Sequence, residues 1–511
     1  MKKLNYIQGA FILTLTNLIT GVIAFVFRIL LSRSIGAEGM GVFQLVLPLY
    51  TLFITLVSGG VTTAVSKLVA EQQTKSNYRN MHKIIKICCT LFGTWSVLIA
   101  VILSFNAGFV SQYILKDTRT LYSIIIFTPA IVFISISAII RGYFFGLQDV
   151  NPPAAIDVAE KVVRLVGLVL VVKIMLPYGI AHVCAGAMFA MAVGELVSML
   201  LLITTYLSKK RRSSKTSPTD SSLAIVNRIL INAIPLSVSG ALVTIMEMLC
   251  AIIVPTQLMA AGFSKQSALS LYGELTGMAM PLLFFPFIII VSLSITLVPA
   301  ITASHTKRNW TVLNRQCYSS IKIAAVLGLG ATALFATFPQ QLSELLFKSA
   351  HTGKLLFWLS LGCTFQFLEF TLFAISNGLG MQSKVLGYSI INVIILVLCS
   401  YMLIPIPQIN IYGYIIGFNL STVLIVLKNT YDLKKIKQLK FKLLRPLAGP
   451  LISFVVMLFM LRYVYYNLLT LHNANIALFI SILIGFIAYA FALIATRTFT
   501  LKQITNTLSL K

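Results

Sequence analysis

Long apolar runs recur from one end of the chain to the other, and no other feature constrains its fold as strongly. A helix crosses hydrocarbon with about 20 mostly apolar residues. Fourteen stretches of that kind follow one another, near 8–31, 41–66, 87–108, 120–145, 153–174, 180–207, 229–254, 271–301, 318–338, 355–379, 385–404, 409–427, 446–468 and 474–496. They are long and apolar on all sides, unlike the short alternating strands of a membrane barrel. The expected fold class is therefore an all-α membrane protein of 14 transmembrane helices. Charged residues make up only 10% of the chain, against about 25% in ordinary soluble proteins. That is too little polar surface for a soluble enzyme, a disordered chain or a disulfide-rich secreted scaffold. The opening Lys2-Lys3 and the apolar run behind it read as a retained first helix, because the run is too long for a signal peptide and contains Arg28.

The net charge of +27 raises the question of nucleic acid, but basic residues in a membrane chain first mark cytoplasmic loops. With the N-terminus inside, fourteen crossings put 29 of the 40 Lys and Arg on the cytoplasmic side, 7 outside and 4 within spans. Both termini are expected in the cytoplasm, with no nucleic-acid partner. The domain organisation expected is an N-lobe over 1–207 (spans one to six) and a basic cytoplasmic linker over 208–228. A C-lobe over 229–427 (spans seven to twelve) follows, then a basic cytoplasmic loop over 428–445. Spans thirteen and fourteen with a cytoplasmic tail complete the chain over 446–511. The two lobes resemble each other: Gly41-Val42-Phe43-Gln44-Leu45 matches Ser270-Leu271-Tyr272-Gly273-Glu274-Leu275, and Gly146-Leu147-Gln148 matches Gly378-Leu379-Gly380. Six spans per copy is an even number, so the copies share one topology. Parallel repeats of this kind place a substrate site between lobes and suit alternating access.

Charges inside spans each cost about 2.5 to 3.5 kcal/mol at a helix centre, so they need a reason. Asp157, Glu160, Lys161 and Arg164 fall at i, i+3, i+4 and i+7 on one face of span five. The spacing predicts two acid-before-base pairs, Asp157–Lys161 and Glu160–Arg164. Arg141 lies near the same surface. Either the stripe is a self-neutralised face packed on another helix, or it walls a water-filled, inward-opening cavity. Lipid would not tolerate four charges on one stripe, which favours the cavity. With Gly146 aligned on Gly378, Glu160, Lys161 and Arg164 fall on Asn392, Val393 and Leu396. The stripe belongs to the first lobe alone, and this asymmetry favours a substrate role. Arg28 and Arg33, near the outer end of span one, either snorkel to the interface or bind phosphate. Glu195, Glu247 and Glu369 are lone carboxylates within spans, either protonated and inert or sites of proton or sodium coupling.

The seven cysteines show no C-x-x-C pair and no metal spacing, and read as packing residues. The chain has no G-x-x-x-x-G-K-[ST], no H-E-x-x-H and no G-x-S-x-G. We expect no catalytic residue, no metal, no cofactor and no enzyme activity.

Several stretches resemble the stage V sporulation protein B family, of the multidrug/oligosaccharidyl-lipid/polysaccharide exporters. They are Arg28-Ile29-Leu30-Leu31-Ser32-Arg33-Ser34-Ile35-Gly36-Ala37-Glu38-Gly39-Met40-Gly41, Ser58-Gly59-Gly60-Val61-Thr62-Thr63-Ala64-Val65-Ser66-Lys67, Arg141-Gly142-Tyr143-Phe144-Phe145-Gly146-Leu147-Gln148, and Glu160-Lys161-Val162-Val163-Arg164. That family is similar to the lipid II flippase MurJ. The resemblance implies a V-shaped pair of six-helix lobes, with two extra helices lining a lipid-accessible groove. It implies transport of an undecaprenyl-diphosphate-linked oligosaccharide from inner to outer leaflet of the bacterial cytoplasmic membrane, for spore-cortex peptidoglycan. Membrane lipids and cell-wall synthases are the implied partners. Arg28 matches the cavity arginines of such proteins. Spans seven, eleven and twelve hold no Asp where MurJ-type sodium sites use one, which argues against sodium. The alternatives are a cation-coupled multidrug antiporter, which needs a cavity dominated by acids, and a non-transporting scaffold for wall synthesis.

Overall fold

A computed structural model describes residues 6–209, 220–436, 438–439, 447–470 and 473–498. Lys2, Lys3, the linker's Lys210, Arg211, Arg212 and Lys215, the 428–445 loop's Lys437, Lys440, Lys442 and Arg445, and the tail's Lys502 and Lys511 lie outside the described residues. Every regular element among the described residues is helical. Eleven segments among them are long and apolar enough to cross a membrane, so this is a multi-pass membrane protein. The chain divides into two compact units, 1–273 and 274–511.

The first unit contains α1 (Tyr6–Ser58), α2 (Val61–Thr74), α3 (Tyr78–Phe105), α4 (Leu121–Gly146), α5 (Asn151–Met175), α6 (Ile180–Lys209), α7 (Ser222–Ala260) and α8 (Lys265–Tyr272). Spans one and two were expected with a polar break between them. That break falls at Gly36 (φ 67°, ψ −170°), a non-helical conformation that a side chain disfavours, so two helices meet at a kink inside α1. The second span then ends at Ser58, short of the expected residue 66. Gly60 has a φ of 73°, and a Cβ there would sit 2.5 Å from the Ala233 carbonyl oxygen. The pair Gly59-Gly60 therefore turns the chain while α7 passes close by.

The expected boundary near 208–228 is not where the compact units part. They divide after Gly273 because α7 and α8 are fastened to the first unit at both ends. At one end Arg228 pairs with Glu71, Lys67 Nζ donates to Asn232 Oδ1 at 3.1 Å, and Asn80 Nδ2 donates to Asp220 at 2.9 Å. At the other end Arg119 bridges Glu38 (2.6 Å) and Asp117 (2.8 Å). There Lys265 Nζ donates to the Lys116 carbonyl at 2.7 Å, and Gln266 Nε2 to Glu38 at 2.9 Å. Backbones also meet closely: a Cβ on Gly41 would lie 2.1 Å from the Leu269 carbonyl oxygen, and one on Gly273 2.1 Å from that of Ala37.

A π-helical stretch, Gly273–Ala279, leads from the last residue of the first unit into the second, followed by α9 (Met280–Phe284) and α10 (Ile288–Thr306). The expected span eight is thus broken, at the region where Pro281 and Pro286 interrupt regular hydrogen bonding. Next come α11 (Trp310–Thr337), α12 (Pro339–Phe347), α13 (Ala350–Gly378), α14 (Gln382–Leu403), α15 (Tyr412–Lys434), α16 (Ala448–Leu469) and α17 (Ala474–Ala495). The last two pair with each other and rest on α11. Tyr489 Oη donates to the Val326 carbonyl at 2.8 Å, and Gly485 gives room to Leu461.

The internal repeat recurs in helix boundaries and turn chemistry at one offset of 232. Helices α3 (78–105) and α11 (310–337) have the same length at that offset, and α6 and α15 begin at Ile180 and Tyr412. Ser76 and Arg308 both have φ 53°, ahead of the N-caps Asn77 and Asn309. Gln148 (φ 59°) and Gly380 (φ 80°) end the matching helices α4 and α13.

Candidate functional site

The charged stripe of α5 meets α4 and α6 inside the first unit, and the pairing differs from the spacing's prediction. Glu160–Arg164 forms as an i,i+4 pair at 2.6 Å, but Asp157 does not take Lys161. Asp157 turns to Arg141 of α4, 2.8 Å away, and Lys161 bonds its chain neighbour Glu160 at 2.6 Å. Arg141 Nη2 also donates to Glu160 at 3.0 Å and to Ser198 Oγ of α6 at 3.0 Å. Glu160, only 2% exposed, therefore holds three cations. A buried carboxylate left alone would cost several kcal/mol, and three cationic partners offset that cost here.

Glu195 of α6 joins the same network through Arg164. From sequence it stood among scattered coupling acids, and the 31 residues between them hid the pairing. Tyr50 of α1, buried and edge-on to Phe127 at 5.5 Å, faces Arg164 and Glu195. Gly194 was not singled out by any sequence reading. A Cβ there would stand 2.4 Å from Arg164 Cγ, so its missing side chain makes the channel through which Arg164 runs. A lone glycine in an apolar helix gives no signal of this.

Beside the network lies a cavity of about 170 Å³, whose wall includes Arg28, Lys161, Arg164, Phe27, Phe43 and Met191. Three cations reach it and none of its lining residues is an acid. Arg28 has no ion pair or hydrogen bond with a described residue. The Nε of Arg164 is buried with no acceptor. The stripe is thus neutralised on its packed side, and Lys161 and Arg164 also line the cavity. Arg33, five residues beyond Arg28, is exposed and does not line that cavity.

The second unit does not reproduce this chemistry. The offset of 232 puts Phe373, Val393, Leu396 and Leu427 where the first unit has Arg141, Lys161, Arg164 and Glu195. Glu369 is buried and accepts from Asn392 Nδ2 at 3.0 Å, a polar contact between α13 and α14, the counterparts of α4 and α5. Glu247 is exposed on α7, away from the cavity wall. The coupling candidates thus separate: Glu195 stands in the cationic cluster, while Glu247 and Glu369 do not. Among the described residues no group of three or more His, Cys, Asp or Glu could hold a metal ion.

The chain is thus a multi-pass helical membrane protein whose first unit sets a buried charge cluster beside a cavity. The chain matches the family described as "Polysaccharide biosynthesis protein" over residues 6–305, and it belongs to that family. It is 28% identical to stage V sporulation protein B of Bacillus subtilis (strain 168) over 446 residues, 87% of this chain and 86% of that one. It is 26% identical to the lipid II flippase MurJ of the same organism, covering 63% of each. A solved structure, "Lipid II flippase MurJ, inward closed conformation", superposes with a TM-score of 0.73 at 13% identity, covering 94% of this chain and 98% of that one. At that identity the likeness shows a shared fold.

Proposed function

We propose that this transporter flips an undecaprenyl-diphosphate-linked oligosaccharide of the lipid II type from the inner to the outer leaflet. It does so by alternating access across 14 spans, with two six-helix lobes and both termini in the cytoplasm, in the service of spore-cortex synthesis. One observation carries the reading: Arg28, Lys161 and Arg164 line a single cavity whose wall has no acid. A diphosphate needs cationic, hydrogen-bonding partners, and arginine offers it two parallel donors. The lipid tail needs no protein charge, which fits charges gathered in one cluster of the first unit. The names of two relatives, a lipid II flippase and a sporulation protein, support the substrate class and the setting. An acid-dominated cavity, as a drug-cation antiporter needs, is not what surrounds Arg28.

The test is binding of lipid II to the purified full-length protein in detergent, with inorganic diphosphate as competitor. The expected result is saturable binding that diphosphate displaces and that Arg28→Ala weakens at least tenfold. Binding indifferent to both would overturn the assignment.

A further inference from the structure

The network behind the cavity has a charge balance that a diphosphate upsets. Arg28, Arg141, Lys161 and Arg164 carry four positive charges, and Asp157, Glu160 and Glu195 carry three negative ones. The empty site is therefore close to neutral, as a low-dielectric interior requires. A diphosphate esterified at both ends brings two negative charges. Bound without compensation, it leaves the cluster with an excess of one negative charge.

The geometry also shows which acid loses its partner. Arg164 lines the cavity, its Nε–H has no acceptor among the described residues, and two parallel N–H donors are what a phosphate takes from an arginine. Its Nη2 is shared between Glu160 and Glu195. When phosphate draws Arg164 away, Glu160 keeps Arg141 at 3.0 Å and Lys161 at 2.6 Å, and Asp157 keeps Arg141 at 2.8 Å. Glu195 has no other ion pair among the described residues. The groups facing it are Arg164, Glu160 and Lys161 of α5, Arg141 of α4 and Tyr50 of α1. Only 8% exposed, an abandoned Glu195 carboxylate is far costlier than a neutral carboxyl.

We propose that Glu195 is a proton-exchange site. The substrate's phosphate displaces its carboxylate from Arg164, and Glu195 then takes one proton from water, which it returns when the phosphate leaves. No bond to phosphorus is made or broken. The inference rests on the diphosphate reading of the cavity. It adds that binding and protonation are one linked event, with affinity rising about tenfold for each unit fall in pH around neutrality.

The experiment is titration calorimetry of the full-length protein with undecaprenyl-diphosphoryl-N-acetylglucosamine, a diester with no group that titrates near neutrality. It is run in two buffers of different ionisation enthalpy. Wild type should take up close to one proton per ligand bound. Glu195→Gln should take up none and lose the pH dependence of its affinity, while Glu369→Gln keeps wild-type uptake. Binding by wild type with no proton uptake overturns the exchange and leaves the diphosphate reading standing, as does unchanged uptake in Glu195→Gln. Absence of binding by wild type overturns both.

Discussion

Arg28 and Arg164 line the same cavity but stand on different energetic footings, which makes them separable by mutation. Arg164 ion-pairs with two buried carboxylates, and Arg164→Ala strands Glu195, which has no other ion pair among the described residues, at a cost of about 3–5 kcal/mol. Arg28 neutralises no described residue, so Arg28→Ala should cost under about 1 kcal/mol. Thermal unfolding in detergent, read beside lipid II binding, checks this: both variants lose binding and only Arg164→Ala loses stability. Equal destabilisation by the two would contradict the site. Gly194→Ala tests the same site without removing a charge. Its methyl displaces the stem of Arg164, so binding should fall while the helices stay folded. The stripe from Asp157 to Arg164 was legible in sequence because helical periodicity lines up its charges. Its partners were not, since Arg141 and Glu195 come from neighbouring helices and only packing brings them together. The i,i+4 rule named one correct pair and one wrong one. It knows nothing of an arginine arriving from α4 to claim Asp157.

Among the elements, α7 and α8 depart most from expectation. Hydropathy placed α7 at the head of the second lobe, yet charge pairs and glycine contacts fasten it and α8 to the first unit. Such contacts join segments some 150 to 230 residues apart and leave no periodic trace. Gly41 and Gly273 permit backbone contact between α1 and the segment ending α8. Gly41→Val should therefore force them apart and cost about 1–3 kcal/mol, seen as a lowered melting temperature; an unchanged one would count against that packing. The nearby ion-pair cluster adds a pH dependence. Burial pushes the Asp117 carboxyl up, but hydrogen bonds and charge from Arg119, with Lys265 adding to them, outweigh it and hold Asp117 below the usual carboxylate range. A depressed value means its stabilisation is present above about pH 3.9 and is lost as pH falls through the lowered value. Melting temperature against pH should show this loss in wild type. In Asp117→Asn it should start lower and respond less to acid.

For the whole molecule, membrane character was legible from composition and run length, because nothing else accommodates so many apolar segments. The repeat was legible too, from a few matched residues, and helix ends at a common offset of 232 give it a structural basis. Its informative part is where the copies differ: one unit carries the charge cluster, and the other has uncharged side chains at those positions. Hydropathy alone placed a gap between spans one and two, but not the kink at Gly36 that makes it. The central claim concerns movement, and one measurement addresses it directly. Fluorescent lipid II is followed as it becomes accessible to an outside quencher in proteoliposomes of the full-length protein. Wild type should move it well above protein-free vesicles, and Arg28→Ala, inserted in equal amount, should fall to the protein-free rate. Wild-type movement that Arg28→Ala leaves intact would contradict the account.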